Sequence, residues 1–194
     1  MNWRKIVKGV LIALAVIILG FIQAGFFDRL KILDCKPELV LCFLIVLSCR
    51  LDFLQAGIAG FAAGLYMDIV YGRYVGIYAF LYLTFCWAGS LLIGKAMERN
   101  RFLGLAVLPP LFLLYEMMES LLVRFIAIYT AGGGELYNYG YGSHFITRIL
   151  PGAAYNLGIA IVFYLIMLLI IRIRRPGPEI TYQGERGRVI DNAQ

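Results

Sequence analysis

Residues 54–71 read Leu54-Gln55-Ala56-Gly57-Ile58-Ala59-Gly60-Phe61-Ala62-Ala63-Gly64-Leu65-Tyr66-Met67-Asp68-Ile69-Val70-Tyr71. The run carries no charge before Asp68, and it is nearly as long as the ~20 apolar residues that a helix needs to cross a bilayer. Ala56, Gly60, Gly64 and Asp68 recur every fourth residue, and Gly72 continues the series. Each four-residue step advances about 400° around a helix, so the small residues form one slowly drifting stripe. Small residues at this spacing, with the GxxxG step Gly60–Gly64 at the centre, let a second helix backbone approach closely. Asp68 closes the stripe just before a glycine-bearing turn, Tyr71-Gly72-Arg73-Tyr74-Val75-Gly76. There its carboxylate is placed to accept hydrogen bonds from the turn or to pair with a cation, while Gly72 and Gly76 permit backbone angles closed to other residues. The stripe reads either as internal packing or as part of a partner-binding surface.

Outward from this run the whole chain repeats its character. Of 194 residues 61% are hydrophobic and 15% charged, and the mean hydropathy is +0.80. A soluble domain sits near 45–50% and 25%, so water-soluble enzymes and disordered chains are both excluded. Further apolar runs span Ile6–Phe27, Pro37–Cys49, Tyr74–Gly94, Phe102–Tyr129 and Ile149–Ile173. The first is read as an uncleaved span, because no convincing small-x-small cleavage site follows it. The second is short, and its proline suits the first turn of a helix. The fifth is expected to break near Pro109-Pro110. The expectation is an all-α polytopic membrane protein of six transmembrane helices over residues 1–175, followed by a polar, disordered tail over 176–194.

Basic residues orient the chain, since Lys and Arg favour cytoplasmic loops. Six crossings with an inside N-terminus put Arg4, Lys5, Lys8, Arg50, Lys95, Arg99, Arg101, Arg172, Arg174, Arg175, Arg186 and Arg188 in the cytoplasm, and Arg29, Lys31, Lys36, Arg73 and Arg148 outside. Removing the short second crossing would invert that bias. Both termini are therefore expected to be cytoplasmic. The net charge of +6 reports orientation, not nucleic-acid binding. The outer loop Thr130–Arg148 is rich in Gly and Tyr and reads as an interfacial segment or, more sharply, as a ligand lid.

Catalytic patterns are missing. His144 is the single histidine, and no GxSxG, HExxH, P-loop or paired-carboxylate motif accompanies it. Cys35, Cys42, Cys49 and Cys86 show no metal-ligand spacing and read as small packing residues. No cofactor and no metal site is expected. Intramembrane charges are costly and so stand out. Glu116 and Glu119 share a helix face, and Arg124 follows; a structural ion pair of Arg124 with Asp68 or a glutamate is weighed against a proton or substrate path.

Lys36-Pro37-Glu38-Leu39, the stretch Gly60 to Gly72, and Val75-Gly76 together resemble the rod shape-determining protein MreD family. Gln23 near the end of the first span fits, as does Pro151-Gly152-Ala153-Ala154-Tyr155-Asn156 opening the last. The specific part of the likeness covers about residues 36–94; Pro109-Pro110, the Gly/Tyr loop and the arginine-rich tail lie outside the shared pattern. The resemblance implies an S-component-like bundle and a non-enzymatic subunit of the bacterial cell-wall elongation complex in the cytoplasmic membrane. Its implied partners are MreC and, indirectly, a RodA-type glycan polymerase, its transpeptidase and MreB. The fold likeness also raises a rival, the substrate-binding S component of an energy-coupling-factor vitamin transporter. A lipid-modifying enzyme ranks third, for want of a nucleophile or metal ligands.

Overall fold

The computed structural model of the chain describes residues 3–27, 37–72, 76–130 and 145–173. Among these, every regular element is helical. Helix α1 is Trp3–Ile22 and passes into a wide π-helical stretch, Gln23–Phe27; α2 is Leu39–Ser48, α3 Phe53–Tyr71, α4 Ile77–Arg99 and α5 Arg101–Thr130. A second π-helical stretch, Phe145–Ile149, leads into α6, Leu150–Ile173. The tail 176–194 and most of the Gly/Tyr loop, including His144, lie outside the described residues, as do Cys35 and Lys36.

Four of the helices are long and apolar enough to cross a membrane: α3, α4, Arg101–Ile126 of α5, and the run Phe145–Ile170 through α6. Helix α1 contributes the apolar segment Gly9–Gly25. Helix α2 differs from the others. Its 10 residues rise only about 15 Å, half of a hydrocarbon layer of about 30 Å. It lies at the centre of the bundle, against α4 and α6 above all. Val40, Leu41, Leu44 and Ile45 are at most 1% exposed and share one core with Leu81, Phe85, Phe112 and Tyr164. A helix apolar on all sides is a buried helix, and α2 occupies that place.

Side-chain registers give the helix directions. Gly64 lies against Tyr78 and Ala79, and Gly60 against Tyr82 and Cys86, so α3 and α4 are antiparallel. Tyr78 reaches Glu119 and Phe85 stacks edge-on to Tyr115, which makes α5 antiparallel to α4. Tyr164 meets Arg101 and Asn156 meets Glu116, so α6 runs against α5. Glu38 lies beside Asn156, and Cys49 beside Met167, so α2 is parallel to α6. Gln23 bonds to Tyr71 and Ile17 to Tyr66, so α1 is parallel to α3. The six helices therefore alternate. Short as it is, α2 reverses the chain, and α1 begins at the end of the bundle where α6 finishes.

One expectation is corrected. Helix α5 does not break at Pro109-Pro110; both prolines lie inside one continuous helix. Their rings sit on its exposed side, away from the packed neighbours, and proline is tolerated within spanning helices where local adjustments satisfy the freed carbonyls.

Candidate functional site

Every helix start leaves backbone N–H groups without partners. Inside a membrane no water serves them, so protein groups must. Two of this chain's helices start inside the bundle, and the polar residues gather around them.

The start of α4 is served by Asp68 from the last turn of α3. Its Oδ2 accepts the N–H of Gly76 at 2.9 Å and of Ala79 at 3.1 Å, and its Oδ1 accepts that of Tyr78 at 3.0 Å. The carboxylate is 1% exposed, with both oxygens engaged by charge-assisted bonds. Gly72 closes α3 at φ +61°, its N–H donating to Asp68 O at 3.0 Å, and Gly76 opens α4 at φ +103°. Both are left-handed conformations that glycine adopts without a Cβ penalty. Below the turn the stripe faces α4. A Cβ on Gly60 would come within 2.5 Å of Tyr82 O, and one on Gly64 within 2.5 Å of Ala79 Cα. Ala56, 1% exposed, lies in the buried core.

The start of α2 is served from further away. Pro37 brings no N–H. The N–H of Glu38 donates to Asn156 Oδ1 of α6 at 2.8 Å, and that of Val40 to Gln23 Oε1 at 3.1 Å. Helical bonding begins with Cys42 N–H to Glu38 O at 3.0 Å. The two amides are in turn held. Asn156 Nδ2 donates to Glu116 Oε1 at 2.8 Å, and Gln23 Nε2 donates to Tyr71 Oη at 2.7 Å. Cys42 Sγ donates to the carbonyl of Asn156 at 3.2 Å. The side chain of Glu38 points the other way, where its Oε2 accepts the hydroxyls of Tyr115 at 2.5 Å and Tyr82 at 3.2 Å. Asn156 is fully buried, and Gln23 and Glu38 are 2% and 6% exposed. Gly152 makes room for Glu116: a Cβ there would lie 2.9 Å from the carboxyl carbon. Tyr115 follows Arg101 by 14 residues, so this layer sits roughly 20 Å up the bundle.

The residues singled out from the sequence thus fall into two groups. Ala56, Gly60, Gly64, Asp68, Gly72 and Gly76 form the α3–α4 hairpin. Glu116 and Glu119 enter the polar layer, Glu119 accepting the Tyr78 hydroxyl at 3.4 Å, and Arg148 brings positive charge to bear on Glu116. Arg124 stands half-buried beyond Glu119 on α5. Among the described residues Asp68 bonds to the backbone at the start of α4 and to no cation. Glu38, Gln23 and Asn156, which at sequence level carry only the family resemblance, prove to be neighbours, joined by Tyr82 and Tyr115. Their signal was a carboxyl or amide side chain inside each of three largely apolar runs. Among the described residues no group of three His, Cys, Asp or Glu is placed to hold a metal ion.

What fold and layer define is a multi-pass α-helical membrane protein whose buried Asp68, Asn156 and Gln23 hold helix ends. The family model for the rod shape-determining protein MreD matches residues 3–174. The chain belongs to that family and is a rod shape-determining membrane protein. No curated protein and no solved structure matches it.

Proposed function

We propose that the protein is a non-enzymatic subunit of the bacterial cell-wall elongation complex. It scaffolds MreC in the cytoplasmic membrane and, through MreC, a RodA-type polymerase, its transpeptidase and MreB. The observation that carries this reading is the use made of the polar layer. Glu38, Asn156, Gln23 and Asp68 spend their hydrogen bonds on helix ends, tyrosine hydroxyls and, for Asn156, Glu116, which suits a rigid platform more than a reaction centre. The alternating helix directions agree with the charge count that puts both termini in the cytoplasm. Within this reading the stripe Ala56, Gly60 and Gly64 packs α3 on α4, because a side chain at Gly60 or Gly64 would collide with α4, and MreC binds on a face that the stripe does not form.

Affinity purification of the full chain from membranes, with identification of what comes with it, is the test. MreC is expected in stoichiometric amount, and depletion is expected to round a rod-shaped host. A preparation free of MreC from a host that keeps its shape on depletion contradicts the proposal. Intact-cell labelling of a cysteine placed at Asn100 would overturn the orientation.

A further inference from the structure

At the end of the bundle away from the polar layer, four cations lie on adjoining turns. Ser90 Oγ donates to Leu51 O at 3.1 Å, and a Cβ on Gly94 would lie 3.9 Å from Cys49 O, so the turn bearing Arg50 rests on the last turns of α4. Lys95 and Arg99 belong to those turns, and Arg101 opens α5 after the single linking residue Asn100. Arg50, Lys95 and Arg99 are exposed, and Arg101 is half-buried. Asp52 and Glu98 are at the same end, yet among the described residues none of the four cations has a carboxylate partner. At the opposite end the charge of Arg148 is already directed at Glu116.

Lys95, Arg101 and Arg50 also stand at the foot of exposed apolar surfaces. Lys95 follows Leu91 by one helical turn, and Leu91 and Leu92 are 44% and 52% exposed. Arg101 precedes the exposed Phe102 and Leu103, and Arg50 precedes the exposed Phe53 and Leu54. We infer that Arg50, Lys95, Arg99 and Arg101 form a binding site for the phosphate headgroup of an anionic phospholipid, whose acyl chains lie along these apolar surfaces. Guanidinium groups match phosphate oxygens two at a time, and the lysine and arginine stems reach along apolar surface toward the headgroups. An acidic protein segment would satisfy the charges but not the apolar surfaces beneath them. A lipid satisfies both at once.

The test is native mass spectrometry of the purified full-length protein, titrated in detergent with phosphatidylglycerol and, separately, with phosphatidylethanolamine. Phosphatidylglycerol is expected to bind at least about ten-fold more tightly, since each cation near an anionic surface contributes about five-fold. The variant Lys95→Gln/Arg99→Gln/Arg101→Gln should lose about a hundred-fold of that affinity while its melting temperature holds. If the triple variant does not fold, Lys95→Gln alone is read, with a loss of about five-fold expected. Equal binding of the two lipids, or unchanged binding by the variants, overturns the inference. Displacement of the lipid by millimolar inorganic phosphate, or by a polyglutamate peptide, overturns it as well, because acyl contact would then add nothing.

Discussion

The starts of α4 and α2 face the same difficulty, N–H groups with no partner in their own helix, and meet it differently. At α4 one carboxylate, 8 to 11 residues away, takes three donors. At α2 two amides, 17 and 118 residues away, take one donor each. The first arrangement belongs to a hairpin and needs only α3 and α4. The second exists only when α1, α2 and α6 have come together. The difference teaches that a short, all-apolar helix such as α2 has no means of capping itself: Glu38, at its cap position, turns its side chain to Tyr82 and Tyr115 instead. The α4 start should therefore behave as a local unit and the α2 start as a report on the whole bundle.

The comparison breaks hardest at Gly64. Gly64→Leu drives a side chain into the α4 backbone, and because backbone cannot swing aside, overpacking of about 3 kcal/mol or more is expected. The membrane level of the variant should fall to a small fraction of the wild type on an immunoblot, while Gly9→Leu, with open space around it, should accumulate normally. Asp68→Ala comes next. It leaves three donors unserved, one buried and two part-buried, at about 2–3 kcal/mol in all, and Asp68→Asn, which keeps one acceptor oxygen, should recover part of the lost melting temperature.

Asn156→Leu has a similar effect spread more widely. It strips the Glu38 N–H and the Glu116 carboxylate of a shared partner, a cost of about 2–4 kcal/mol, and the α1–α2 and α2–α6 contacts should loosen together. Gln23→Leu removes the cap from Val40 and the amide donor to the Tyr71 hydroxyl, and should cost about 1–2 kcal/mol. Denaturation of the two variants and of their double mutant sharpens the point. If both amides hold one helix start, the losses should be less than additive, because the second change acts on an end already released. Full additivity would mean that the caps work independently.

The same contrast explains what was legible in the sequence. The hairpin could be read from residues 54–76 because its parts are local: a four-residue stripe, an aspartate at its end, and two glycines where the chain must turn. The polar layer could not be assembled in advance. Gln23, Glu38 and Asn156 come from three separate apolar runs, and no periodicity relates residues 118 apart. The fifth span was misread at Pro109-Pro110 because proline's penalty depends on where its ring falls, which the sequence does not state. The brevity of α2 was visible, but its place at the centre of the core became so only through the packing of α4 and α6, with α1 and α3, around it.

The claim on which the account turns is that the α2 start is held by α6 and α1, while the α4 start is held by its own hairpin. Amide hydrogen exchange of the full-length protein in lipid nanodiscs, wild type against Asn156→Leu, measures this directly. The account predicts that amides of Glu38 to Cys42 exchange roughly 30-fold faster in the variant, the equivalent of about 2 kcal/mol of local protection, while those of Gly76 to Ala79 keep their wild-type rate. Equal acceleration of both segments, or of neither, would contradict it.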